Sequence, residues 1–193
     1  MLYFKTWLEA QIPEEAIKIA LPKVKMQSEG ACGAQAFRAI CLYFNKGPED
    51  EKEFMDLLGT TKNGTTPENI VKTAKGLGLK VQSKTGMTIE ELISYIDNGM
   101  PVICAMQAYG EPKEYNKDSS GHYVVVIGYD KEKIYFEDSS IDGSKRGFLH
   151  YKDFLKRWHD KDIHGHDCNQ LGIAIWANNP KPHKKITKAK RIE

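Results

Sequence analysis

The chain has little of what would place it in a membrane or an oxidising compartment. Its longest nearly uninterrupted apolar run, Tyr123 to Tyr129, is far shorter than the ~20 residues a membrane helix needs. Met1 to Ala10 carries Lys5 and Glu9 where a signal peptide would need an apolar stretch. Cysteine is scarce: Cys32, Cys41, Cys104 and Cys168 are spread without C-x-x-C spacing, which suits reduced thiols better than a disulfide framework. These absences predict a soluble, cytoplasmic protein with no membrane span. Repeats and low-complexity blocks are also missing.

What is present is enough for one sizeable core. The 193 residues are 40% hydrophobic and 28% charged, with seven Phe, nine Tyr and three Trp, a composition that argues against disorder and for a single domain with a small extension. The net charge of only +2 conceals an uneven distribution. From Pro180 onward there are Lys181, Lys184, Lys185, Lys188, Lys190 and Arg191 against the single acid Glu193. The expected division is therefore a domain over 1–177 and a basic tail over 178–193. That tail is read as a solvated terminus rather than a nucleic-acid contact.

The first half reads as helical. Pro13 before Glu14, Glu15 and Ala16 predicts a helix start, closed by Pro22, with Val24-Lys25-Met26 as a short extended entry. Cys32 to Asn45 predicts a helix buried nearly all round, Gln35 and Arg38 being its polar positions before Asn45. Glu49 to Leu58 predicts another. Thr66-Pro67-Glu68 opens a further helix with a cap and a proline at the first turn, and Thr88-Ile89-Glu90-Glu91 opens the next with a capping-box pattern. From Pro101 the pattern changes to β-branched and aromatic strands at Val102–Met106, His122–Tyr129, Lys133–Glu137 and Gly172–Trp176, with a late helix over Tyr151–Trp158. Helices followed by antiparallel strands are the α+β order.

Two segments carry candidate chemistry. Gln27-Ser28-Glu29-Gly30-Ala31-Cys32-Gly33-Ala34 places a cysteine at a helix start, where unpaired N–H groups and the helix dipole stabilise a thiolate. The Cys32 N–H and the Gln27 side-chain amide could converge as oxyanion donors. Gly121-His122-Tyr123 enters a strand whose hairpin partner ends at Asp138. Pairing about Lys131 returns the chain to the same end, so a base and a carboxylate meet at neighbouring strand ends. Read singly, these are a buried structural cysteine, a strand-end histidine and a turn aspartate. Together they compose a Cys-His-Asp system.

Gln27, Cys32-Gly33-Ala34, Gly121-His122-Tyr123 with the strand to Gly128-Tyr129-Asp130, and Asp138 sixteen positions after His122 resemble the papain-like double-glycine peptidases that trim leader peptides from bacteriocin precursors, or a stand-alone relative of them. The resemblance runs from about Val24 to Ala177 and includes Gly64-Thr65-Thr66-Pro67, Gly76-Leu77-Gly78-Leu79 and Gly99-Met100-Pro101. It implies a papain-like fold, a helical N-terminal half packed on an antiparallel sheet. It further implies Cys32 as nucleophile, His122 as general base and acid, Asp138 as orienting carboxylate and Gln27 as oxyanion donor.

The resulting expectation is a cysteine peptidase that cleaves a peptide or protein substrate through a Cys32 acyl-enzyme, without a cofactor. An acyl or peptidyl transferase would use the same triad, and a non-catalytic peptide-binding module would share the fold. A third cluster, His159, Asp160, Asp162, His164, His166, Asp167 and Cys168, has the side chains for zinc but neither paired C-x-x-C nor H-x-x-x-H spacing, and no metal is expected there.

Overall fold

The computed structural model describes residues 9–13, 15–109, 121–143, 145–178 and 187–192. Five helices and eight strands occur among them. The helices are α1 (Cys32–Tyr43), α2 (Glu51–Leu58), α3 (Pro67–Gly76), α4 (Ile89–Asp97) and α5 (Tyr151–Arg157). The strands are β1 (Glu9–Gln11), β2 (Lys80–Lys84), β3 (Val102–Gln107), β4 (Gly121–Tyr129), β5 (Lys133–Glu137), β6 (Arg146–His150), β7 (Gly172–Trp176) and β8 (Lys188–Arg191). All eight strands join one sheet in the order β1-β8-β6-β5-β4-β3-β7-β2, antiparallel except where β6 meets β8. The architecture is the α+β papain-like fold expected. No described helix is long and apolar enough to cross a membrane.

Local signals explain the helix boundaries. Thr66 caps α3 by accepting the Asn69 N–H, with Pro67 in the first turn. Thr88 and Glu91 form the reciprocal capping box of α4. Asp50 caps α2, which stops at the left-handed Gly59. Nearly every side chain of α1 is buried, Gln35 included, because the helix packs between α2 and β4.

Three sequence expectations are corrected. Residues 15–22 form no helix. Lys18 and Ile19 donate their N–H groups to the Ile127 carbonyl, Tyr129 donates to Ala16, and Ile17 bridges Gly128. A β-bulge between Val126 and Gly128 receives this segment, and Gly128 is required there because a Cβ would lie 2.0 Å from the Ala16 carbonyl oxygen. Burial of Ile19, Leu21 and Val24 outweighs the helix-start signal of Pro13 and the acids after it. Second, β1, β2 and β6 are additional strands. Third, the segment after 178 is not solvated throughout. In β8, Ala189 pairs with Ala10 and Arg146, and Ala189 and Ile192 are buried, so backbone pairing and two buried apolar side chains hold this segment on the sheet.

Candidate active site

Cys32 is the first residue of α1. Ala31 before it supplies no side-chain cap and the first turn contains no acid, so the positive end of the helix is left to the thiol. The approach to Cys32 is fastened to the sheet. Met26 donates its N–H to the Ser139 carbonyl at 3.0 Å, Val24 donates to the Glu137 carboxylate, and the Lys23 ammonium donates to the Asp138 carbonyl. Gly30 then turns with φ +72°, where any Cβ would strike the Thr61 carbonyl at 2.5 Å. Gly33 likewise has no room, its Cβ position lying 3.0 Å from Thr65 and from the Tyr123 ring. Gly30 thus seats the approach to the helix against the Thr61–Lys62 backbone, and Gly33 brings the helix start down onto Tyr123 of β4.

His122 stands at the start of β4, opposite Met106 of β3, and Asp138 follows β5 directly. Val125 pairs with Glu137, and continuing that register by one residue puts Val124 beside Asp138, so His122 and Asp138 are diagonal neighbours on one sheet face. Their side chains meet: His122 Nε2 is 2.8 Å from Asp138 Oδ1, and both residues are buried. The imidazole also hydrogen-bonds Cys32, and with Nε2 engaged by the carboxylate the nitrogen left for the thiol is Nδ1.

The electrostatics follow from this chain of contacts. Burial pushes the Cys32 thiol up, but the hydrogen bond and charge of His122, with the backbone groups of Tyr123 and Gly33, bring it below its usual value. Burial opposes the charged form of His122, yet the charge and hydrogen bond of Asp138 and the contact with Cys32 raise it to about 10. Asp138 is pushed up by burial and brought down further by His122, Tyr109 and the Ser140 N–H. The arrangement favours a thiolate-imidazolium pair anchored by a carboxylate.

A cavity of about 220 Å³ opens at Cys32 and His122, walled by Gly64, Thr65, Tyr123 and Asp160. Behind one wall, the buried Gln107 donates to Asp160 Oδ1 at 2.9 Å. A shallower hollow of about 670 Å³ between Pro13–Lys18 and the β4–β5 turn is lined by none of the predicted site residues. Gln27 precedes Cys32 with an exposed side chain. Its backbone N–H donates to Glu51 at 3.1 Å, and Glu51 also accepts from Gln35 of α1, so the loop before the cysteine is tied to the helix that carries it.

The structure thus brings Cys32, His122 and Asp138 together, with Gln27 anchored nearby through its backbone. It does not gather the His159–Cys168 cluster. Asp162 accepts the N–H groups of His164 and His166 and faces the His166 imidazole at 2.9 Å, and Lys161 pairs with Asp167. These side chains fold their own loop, and no three metal-ligating groups converge among the described residues. Sequence reasoning missed Tyr109 and Gln107. Tyr109 donates its hydroxyl to Asp138 Oδ2 at 2.6 Å, a contact across 29 positions for which no motif exists.

Comparison with known proteins agrees with the fold. No curated protein matches the sequence. Among solved structures, one described as a C39-like peptidase from Bacillus anthracis is 18% identical, covers 88% of this chain and all of its own, and superposes with a TM-score of 0.66. The peptidase domain of Streptococcus ComA, a bifunctional ABC transporter, is 21% identical over 83% of this chain and 97% of its own, with a TM-score of 0.56. A double glycine motif protease from an AMS/PCAT transporter, in complex with its leader peptide, is 16% identical over 86% of this chain and 96% of its own, with a TM-score of 0.59. At these identities the likeness establishes a shared fold. The family description Peptidase_C39 like family matches residues 20–162, a span that holds Gln27, Cys32, His122 and Asp138, and the chain belongs to that family.

Proposed function

We propose that the protein is a cysteine peptidase that cleaves a peptide or amide bond through an acyl-enzyme on Cys32. The observation that supports this most is the imidazole of His122, hydrogen-bonded to Asp138 at 2.8 Å on one side and to the Cys32 thiol on the other. In this reading the Cys32 thiolate attacks the scissile carbonyl and the carbonyl oxygen takes the negative charge. The Cys32 N–H and the Gln27 amide stabilise that oxyanion. As the carbon–nitrogen bond breaks, the His122 imidazolium delivers its proton to the departing amine, leaving a thioester. Water, deprotonated by the now neutral His122, attacks the thioester and releases the acid, and the proton on His122 restores the ion pair.

The substrate proposed is a short peptide segment such as a leader, by analogy with the neighbour bound to its leader peptide. The four free cysteines suit a reducing, cytoplasmic setting. The test is a peptide library that includes sequences ending in paired glycines, digested by wild type and by Cys32→Ala and read by mass spectrometry. Cleavage by the wild type alone, with a thioester adduct on Cys32, is the expected result. Cleavage that persists in Cys32→Ala refutes the assignment. Adding a primary amine separates hydrolysis from acyl transfer, because a transferase yields the amide.

A further inference from the structure

Tyr109 leaves β3 with φ +59°, a left-handed conformation uncommon for a bulky side chain. The turn carries the ring from the end of β3 past β4 to the end of β5. There its hydroxyl donates to Asp138 Oδ2 at 2.6 Å, while its ring meets the His122 ring edge-on, with centroids 5.5 Å apart at 75°. The other carboxylate oxygen is occupied separately: Oδ1 faces His122 Nε2 at 2.8 Å and accepts the Ser140 N–H at 2.8 Å. Two donors on different oxygens prevent the carboxylate from rotating away from the imidazole, and one of them comes from a strained residue outside the triad.

We propose that Tyr109 is a positioning residue for the Cys32 reaction, acting through Asp138 by fixing its carboxylate and covering the bond between Asp138 and His122. The inference rests on the peptidase reading above and adds a fourth member to its hydrogen-bond chain, from phenol to carboxylate to imidazole to thiol. A backbone held in an unfavourable region persists when its surroundings fix it, and here the contacts at stake are the hydroxyl on Oδ2 and the ring on His122. Tyr109 as a residue is also 39% exposed, so little of the core depends on it. Removal of the hydroxyl should therefore alter chemistry more than folding.

The experiment needs no natural substrate. Alkylation of Cys32 by iodoacetamide is followed from pH 4 to 9 in the full chain, for wild type, Tyr109→Phe, Asp138→Asn and the double variant, with melting curves recorded alongside. In wild type the thiolate should appear well below the pH of a free thiol. Loss of a hydrogen bond to the charged carboxylate should move the acid limb of Tyr109→Phe up by about one pH unit, about tenfold in thiolate fraction on that limb, with the melting temperature little changed. On the Asp138→Asn background the same substitution should have no further effect, because Tyr109 acts through that carboxylate. The pairwise comparison remains informative even if Tyr109→Phe lowers stability. A Tyr109→Phe profile that superposes on wild type, or an equal shift on both backgrounds, overturns the inference. If wild-type Cys32 itself titrates as an ordinary thiol, the peptidase reading fails first, and with it this one.

Discussion

Replacing Asp138 by Asn isolates the charge of the carboxylate from its shape. An amide fits the site in one orientation. With its oxygen at the Oδ1 position it still accepts from His122 Nε2 and from the Ser140 N–H, each at 2.8 Å in the wild type, and its NH₂ group meets the Tyr109 hydroxyl, which can accept as well as donate. The opposite orientation turns an NH₂ toward two donors. The imidazole therefore keeps its tautomer and loses its countercharge. A hydrogen bond to a charged group contributes about 1.5–3 kcal/mol against about 0.5–1.5 for a neutral one, so the ion pair weakens by about 1–1.5 kcal/mol, or roughly tenfold. The sign for each partner follows. Cys32, held low by the imidazolium, rises, and His122, raised to about 10 chiefly against burial by Asp138, falls. The pH window in which thiolate and imidazolium coexist narrows from both sides. Iodoacetamide labelling should show the acid limb alone moving up, since a thiolate stays reactive above the His122 transition, whereas peptide turnover should lose both limbs and fall about 10- to 100-fold at neutral pH. An unmoved acid limb would refute the countercharge argument. A loss near ~10⁴-fold in a folded variant, the scale of a wrong-tautomer defect, would show that the amide had taken the other orientation.

Limited iodoacetamide treatment at neutral pH should label Cys32 first. Burial raises the thiols of Cys41 and Cys104 far out of range and pushes Cys168 up to about 11, and mass spectrometry of partly labelled protein that shows equal labelling would overturn the helix-start account. Ile192→Ala should cost about 2–5 kcal/mol, because Ile192 is buried beside β8; chemical denaturation with no change would mean that this strand lies outside the cooperative unit. Gly121→Ala places a Cβ 2.5 Å from an Asp160 carboxylate oxygen, beside the Gln107 bond. It should lower the melting temperature by about 2–10 °C, on an overpacking cost of about 1–3 kcal/mol, and a melt identical to wild type would contradict the packing of that wall.

The central elements were legible because their signals are local. Thr88 with Glu91, or Thr66 with Pro67, announces a helix start within four residues, and the apolar runs of β3, β4, β5 and β7 are strand-like wherever they are placed. Likewise Cys32, His122 and Asp138 were legible as types at intelligible positions, a helix start and two strand ends. What the sequence hid depends on partners. β2 (Lys80–Lys84) and β8 (Lys188–Arg191) are rich in lysine and resemble solvated chain until neighbouring strands pair with them. Residues 15–22 carry a helix-start pattern, but their N–H groups find better acceptors on the β4 bulge. Tyr109 gives no sequence signal because its function is created by a backbone turn and a contact two strands away.

The position of β8 also constrains the order in which the fold can be completed. β1 is an edge strand whose ladder runs only to β8, pairing Glu9 with Lys190. During synthesis, β1 therefore has to wait until Lys188–Arg191 have left the ribosome. The helices and the β3–β4–β5 meander close over short separations and can assemble beforehand, whereas the β1–β8 contact closes one of the longest loops in the molecule and belongs to the slow, late phase of folding. A nascent chain arrested before Lys188 would carry Cys32, His122 and Asp138 on an unfinished sheet, with the outer edge of β6 open to other strands.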